Sequence, residues 1–172
     1  VGSEMCIRDS HSALEKVYAL AEADETSQIN LIRDYDPSIP EINGDENLFV
    51  QALLNIVKNA QQAIEKTEDA SIAIKSRIEY GTPINGVIHQ TICCIEIKDN
   101  GPGIPEDMHD QVFFPMVSVK ENGSGLGLTI AQDIIRIHGG SIVFNSKPGK
   151  TVFAICLLYT SPSPRYLDLS RM

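Results

Sequence analysis

EIKDNGPGIPEDMHDQVFFPMVSVKENGSGLGL, residues 96–128, holds two glycine-rich turns, Asn100-Gly101-Pro102-Gly103 and Gly123-Ser124-Gly125-Leu126-Gly127. Residues 104–122 lie between them and show no clear period, so two turns in one short stretch suggest one ligand held at both ends. The first turn follows a strand. Side chains alternate from Thr91 to Asp99, which places Cys93, Ile95 and Ile97 on one face with Asp99. A carboxylate at the end of an apolar stripe is costly unless donors are fixed around it, and a ligand amine would serve. Asp-Asn-Gly is also ordinary turn chemistry, and both readings stand at this point.

The second turn runs into residues 128–138, where Leu128, Ala131, Ile134, Ile135 and His138 recur at helical spacing and Gly139 stops the run. A glycine-rich loop at a helix start leaves N–H groups and the positive dipole end free, which suits a phosphate. His138 falls in the last turn, where the dipole favours a basic side chain. Neither glycine turn fits the dinucleotide pattern G-x-G-x-x-G. Gly149-Lys150-Thr151 has Phe144 where a P-loop needs its first glycine, so that stretch reads as a hairpin turn.

Upstream, residues 12–23 place Leu14, Val17, Tyr18 and Ala21 on one helical face, and residues 29–33 read as a strand. Asp45 can cap a helix to about residue 66, with Phe49, Ala52, Leu53, Ile56, Ala60, Ala63 and Ile64 on its core face. Beside that face runs a polar stripe of Gln51, Asn55, Asn59 and Gln62. Asparagine costs up to ~0.7 kcal/mol relative to alanine in a helix, so two at i and i+4 need a reason. Oxygen ligation of Mg²⁺ is one, and a solvated face with a buried amide is the other. Residues 71–80 alternate as a half-buried strand, with Ile72, Ile74, Ile78 and Tyr80 inward. Asn85-Gly86 turns the chain into a strand over 87–99, and 141–146 with 151–155 form a hairpin around Pro148-Gly149. This order predicts an α+β fold: a two-layer sandwich of a mixed, mostly antiparallel sheet with helices on one face.

The chain has 172 residues, 42% of them hydrophobic, enough for the core of one domain. Its net charge of -9 supplies no basic stripe and argues against nucleic acid. No apolar run approaches the roughly 20 residues needed to span a bilayer. The adjacent Cys93 and Cys94 point to opposite faces of a strand and read as core residues of a reducing, cytoplasmic compartment. Residues 1–10, VGSEMCIRDS, and 156–172, CLLYTSPSPRYLDLSRM, resemble translated sequencing-adapter read-through, which leaves 11–155 as the domain. A genuine disordered tail would also fit the Ser-Pro-Ser-Pro stretch. The two segments together carry no net charge, Glu4, Arg8 and Asp9 balancing Arg165, Asp168 and Arg171.

Four motifs in one order resemble the ATP-binding catalytic domain of sensor histidine kinases, the Bergerat or GHKL superfamily shared with DNA gyrase, Hsp90 and MutL. Residues 51–60, QALLNIVKNA, are similar to the N box; 99–105, DNGPGIP, to the first glycine box; 112–115, VFFP, to the F box; and 123–128, GSGLGL, to the second glycine box. Residues 33–40 and 114–118 resemble the nitrogen-regulation branch most closely. The resemblance implies that Asp99, with Gly101, Gly103 and Ile104, binds adenine, and that Thr151 is the small residue behind it. It further implies that Asn59 coordinates Mg²⁺ with Asn55 beside the phosphates. Gly123, Ser124, Gly125, Leu126, Gly127 and Leu128 would cradle the triphosphate. Residues 105–122 would form a mobile lid with Phe114 packed at its base and Lys120 a phosphate contact; a plain solvated lysine is the other reading of Lys120 and of Lys58.

Superfamily members that hydrolyse ATP use a glutamate base at the position of Asn55, and an amide cannot accept the proton of an attacking water. The implied reaction is therefore γ-phosphoryl transfer to a histidine, with ATP and Mg²⁺ required. His11, His89, His109 and His138 lack the flanking residues of a phosphoacceptor box, so the acceptor is expected on a dimerisation domain upstream. An NtrC-like response regulator and the PII signal protein are the other partners the resemblance implies. A nucleotide-dependent adaptor or anti-sigma-like module of the same fold is the competing reading.

Overall fold

A computed structural model describes residues 6–7, 10–24, 28–39, 42–84, 86–115 and 125–158. Five strands form one sheet in the order β2-β4-β5-β7-β6. These are β2 (Asn30–Tyr35), β4 (Ser71–Ile84), β5 (Val87–Asp99), β6 (Ser141–Lys147) and β7 (Lys150–Leu158). β2 runs parallel to β4 and the other three pairings are antiparallel, the mixed sheet the sequence predicts. A short pair, β1 (Cys6–Ile7) with β3 (Ile42–Asn43), lies apart from it. Among the described residues there are also three α-helices, α1 (Ser10–Ala23), α2 (Glu46–Ala63) and α3 (Gly127–Ile137), and a short 3-10 helix over Glu106–Gln111.

The core lies between helices and sheet because each contributes one apolar face. α1 buries Ala13, Leu14, Val17 and Ala21, and α2 buries Phe49, Ala52, Leu53, Ile56, Val57 and Ala60. Against them stand Ile72 and Ile74 of β4, Cys93, Ile95 and Ile97 of β5, and Phe153, Ile155 and Leu157 of β7. Cross-strand partners share a face, so Ile74↔Ile97↔Phe153 forms one continuous apolar row. Cys93 is a buried thiol, and desolvation pushes its pKa up to about 12, in keeping with an inert core residue. Among the described residues no helix is long and apolar enough to cross a membrane.

Several boundaries differ from expectation. α2 stops at Ala63, where the Ile64 N–H closes on the Ala60 carbonyl, short of residue 66. β4 continues past Tyr80 to Ile84, as the outer half of a two-stranded ribbon. β2 covers β4 only as far as Ser76, and β7 covers β5 only from Ile92. Beyond the covered part Tyr80 is 75% exposed, so it is not the inward residue that strict alternation predicts. Asn85 of the ribbon's turn lies outside the described residues. β7 does not end at Ile155: the apolar Cys156, Leu157 and Leu158 extend the ladder, with Cys156 and Leu157 buried.

The two ends of the helical layer are tied by one side chain. Asp45 caps α2, its Oδ1 accepting the N–H groups of Asn47 (2.9 Å) and Leu48 (3.2 Å). The Asp45 N–H in turn donates to Nε2 of His138 at the end of α3 (3.0 Å), while His138 Nδ1–H donates to the Ile134 carbonyl (2.7 Å). A backbone N–H can only donate, so Nε2 is the acceptor and Nδ1 carries the proton given to the Ile134 carbonyl, and the ring bridges the two helices. The ring lies over Gly44, where a Cβ would stand 2.0 Å from it. Replacing His138 with Ala is expected to lower the unfolding free energy by about 2 kcal/mol, since it strands the Asp45 N–H; chemical denaturation measures it.

Candidate functional site

At the mouth of the sheet, register places three polar side chains in one row on the helix-bearing face. Asp99 of β5 pairs with Thr151 of β7, and Thr151 pairs with Ser146 of β6. Asp99 and Thr151 are only 3% and 4% exposed. Asp99 Oδ1 accepts the Gly101 N–H (2.9 Å), and among the described residues its second oxygen has no hydrogen-bond partner. Burial raises its pKa above the usual carboxylate value, and the Gly101 bond offsets only part of that. A half-satisfied buried carboxylate is the mark of a group awaiting a donor.

The first glycine turn is pinned against this row at four places. Its Gly101 carbonyl accepts the Gly149 N–H of the β6–β7 turn (2.9 Å), and the Ile104 N–H donates to Ser146 Oγ (2.8 Å). His109, on the 3-10 helix Glu106–Gln111, donates from Nε2 to the Ile104 carbonyl (2.8 Å). Gly103, at φ +90°, lies so close to Lys147 that a Cβ would stand 2.9 Å from its carbonyl. Left-handed backbone and close approach together admit only glycine there. Asn100 sits outside the pocket: its Oδ1 accepts the Ser71 N–H and its Nδ2 donates to the Asp69 carbonyl, both at 2.9 Å.

α2 runs beneath both turns. Its Ala63 carbonyl would meet a Cβ on Gly101 at 3.1 Å, while Asn55 Nδ2 donates to the Gly127 carbonyl at the start of α3 (3.3 Å). Eight residues of helix, about 12 Å, therefore separate the first turn from the second. Asn59 lies between, half-buried, with no hydrogen bond to its side chain among the described residues. Gly125, at φ +71°, Leu126 and Leu128 complete the described part of the second turn. Lys120, Gly123 and Ser124 lie outside the described residues. Among those described, no three His, Cys, Asp or Glu side chains converge to hold a metal.

Phe114 does not pack at the base of the loop as expected; it is 56% exposed. Its neighbour Phe113 fills that place, edge-on to Phe144 (6.0 Å) and Phe153 (6.3 Å), and its carbonyl accepts Thr129 Oγ1–H of α3 (3.0 Å). The sequence reading missed Phe113, Ser146, His109 and Asn100. For Ser146 a signal was present, since a hairpin centred on Pro148-Gly149 sets residue 146 opposite 151.

A family model for the histidine kinase-, DNA gyrase B- and HSP90-like ATPases matches residues 44–161. The chain belongs to this ATPase family. Its relatives include the sensory histidine kinase/phosphatase NtrB of Vibrio alginolyticus, 46% identical over 147 residues that make up 86% of this chain and 42% of that protein. The chain thus spans well under half the length of that relative. Among solved structures, the catalytic domain of histidine kinase ThkA is 26% identical with a TM-score of 0.72, the match covering 88% of this chain and 93% of that one. The mycobacterial sensor histidine kinase MprB has a TM-score of 0.71 at 22% identity, covering 90% and 96%. This ATPase-family domain therefore has the fold of histidine kinase catalytic domains.

Asp99 gives the site a pH signature. A carboxyl whose folded pKa is raised contributes no penalty below its unfolded pKa, and a growing one as pH rises to the folded value. Asp99→Asn is expected to melt at the same or a higher temperature than wild type at neutral pH, the difference closing on acidification. Scanning calorimetry across the acidic range reads this out.

Proposed function

We propose that the chain is the catalytic ATP-binding domain of an NtrB-like sensor histidine kinase acting in nitrogen regulation. On this reading it binds Mg-ATP and passes the γ-phosphoryl group to a histidine on a dimerisation domain outside this sequence. The observation that carries the proposal is the half-satisfied Asp99 carboxylate beside Thr151, joined by α2 to the second glycine turn. Adenine's amino group is the donor that Asp99 lacks. Sequence similarity to NtrB proteins across most of the chain supports the same conclusion.

Each group has a part in that reaction. Gly101, Gly103 and Ile104 shape the wall against which the base lies, and Thr151 backs it. Asn59, its amide oxygen unengaged among the described residues, fits a Mg²⁺ that takes few protein ligands. The metal when bound supplies charge neutralisation on the transferring phosphoryl group. Asn55 orients the start of α3 through the Gly127 carbonyl, and on this reading the glycine-rich stretch Gly123, Ser124, Gly125, Leu126, Gly127 and Leu128 supplies the amides that take the phosphates. Lys120 adds a cation for the phosphates, and Phe114, which is exposed, closes over the nucleotide. With an amide at Asn55, water lacks a general base, which favours transfer over hydrolysis. The domain runs at least from α1 to the end of β7 at Leu158, beyond the boundary at 155 that the sequence suggests, and the working compartment is the cytoplasm. An NtrC-like response regulator receives the phosphoryl group downstream, with PII a regulatory partner.

Mixing the chain with a separately expressed NtrB-type dimerisation domain and γ-labelled ATP is expected to label a histidine of that domain in a Mg²⁺-dependent way. Tight nucleotide binding with no label transferred would favour the adaptor reading instead. Asp99→Asn is expected to reduce ATP affinity at least tenfold by titration calorimetry, about the cost of one lost charge-assisted hydrogen bond. Unchanged affinity would remove the basis of the proposal.

A further inference from the structure

Ser146 has a hydrogen-bonding pattern that fixes the polarity of its neighbour. Its Oγ carries one proton and two lone pairs. The Ile104 N–H, which can only donate, occupies one lone pair at 2.8 Å. The contact to Thr151 Oγ1, also 2.8 Å, must be one hydroxyl donating to the other. Were Thr151 the donor, Ser146 would accept twice and its own proton would have no acceptor among the described residues, in a half-buried position where that is costly. Ser146 therefore donates to Thr151.

That leaves the Thr151 proton free to turn toward the pocket. The row then presents an acceptor at Asp99 and a donor at Thr151, which are direct cross-strand partners on one face. A 6-aminopurine offers the complement, an amine donor at position 6 and a lone pair at N1. A 6-oxopurine offers the reverse, a carbonyl at position 6 and an N1–H. Facing this row it would set oxygen against carboxylate and N–H against O–H, leaving polar groups unpaired out of water.

We propose that Ser146 is a specificity-determining positioning residue: by holding the Thr151 hydroxyl as a donor, it makes the pocket select 6-aminopurine over 6-oxopurine nucleotides. Ser146 acts through Thr151 and does not itself touch the base. The inference rests on the nucleotide-binding reading above and adds the means by which the base is chosen.

The test compares equilibrium binding of ATP and inosine triphosphate, with Mg²⁺, to the full 172-residue chain as wild type, Ser146→Ala, Ser146→Thr and Asp99→Asn. Wild type is expected to prefer ATP. In Ser146→Ala the Thr151 hydroxyl is free to rotate and accept an N1–H, so the ATP-to-inosine preference should shrink about tenfold, the worth of one hydrogen bond. Ser146→Thr, which keeps the hydroxyl, should restore it. A structural role alone would weaken both nucleotides equally, so an unchanged preference in Ser146→Ala, or loss of all binding in both serine variants, overturns the inference. If wild type binds no ATP, or Asp99→Asn binds it as well as wild type does, the nucleotide reading itself has failed. If those two behave as expected and the preference alone does not move, only the role of Ser146 falls.

Discussion

The buried carboxylate of Asp99 is the constraint around which the rest of this fold is arranged. It stands where β5 leaves the core, at the end of the stripe Cys93, Ile95, Ile97, and folding takes it out of water with one backbone N–H as its hydrogen-bond partner among the described residues. An unpaired charge in that position would be disfavoured in a domain with no use for it, because Asn in its place keeps the turn without the penalty. The surrounding structure keeps its geometry fixed instead. The β6–β7 turn bonds to Gly101, Ser146 bonds to Ile104 and His109 bonds to the same residue's carbonyl, so the loop leaving Asp99 is held by its neighbours and not by its own sequence alone.

The helical layer serves the same end from the other side. α2 is a single rod whose C-terminal turn abuts the first glycine turn and whose middle meets the second, so the separation of the two is set by helix rise. A loop could not hold that spacing as closely. The His138 bridge fixes the far ends of α2 and α3 to each other, which limits rotation of α3 and with it the aim of its N-terminal amides.

Much of this was legible in the residues. The alternation of β5, the Asp45 cap, the amphipathic α2 and the hairpin at Pro148-Gly149 are local patterns, and each appears as expected because local chemistry and tertiary packing agree there. What stayed hidden depends on contacts between distant parts of the chain. The hairpin centred on Pro148-Gly149 sets Ser146 opposite Thr151, but nothing near Phe113 or Phe114 tells which of two adjacent aromatic rings turns inward toward Phe144 and Phe153. Tyr80 misled for a related reason: alternation predicts which face a side chain takes, but not whether anything covers that face. His138 was placed correctly on its helix, while its role depended on a backbone N–H ninety-three positions away.

The β4–β5 ribbon gives the molecule two tiers of cohesion. Past Ser76 and before Ile92 no third strand joins the ladder among the described residues, and Tyr80, Val87 and Ile88 are open to solvent, while Ile84 near the tip is buried in a small cluster with Ile92, Cys94 and Cys156. Its amides can exchange with solvent through local opening, at a fraction of the free energy needed to melt the sheet. Because β7 joins the ladder from Ile92, well before Asp99, opening that starts at the exposed part of the arm meets a three-stranded sheet before it reaches the acidic row.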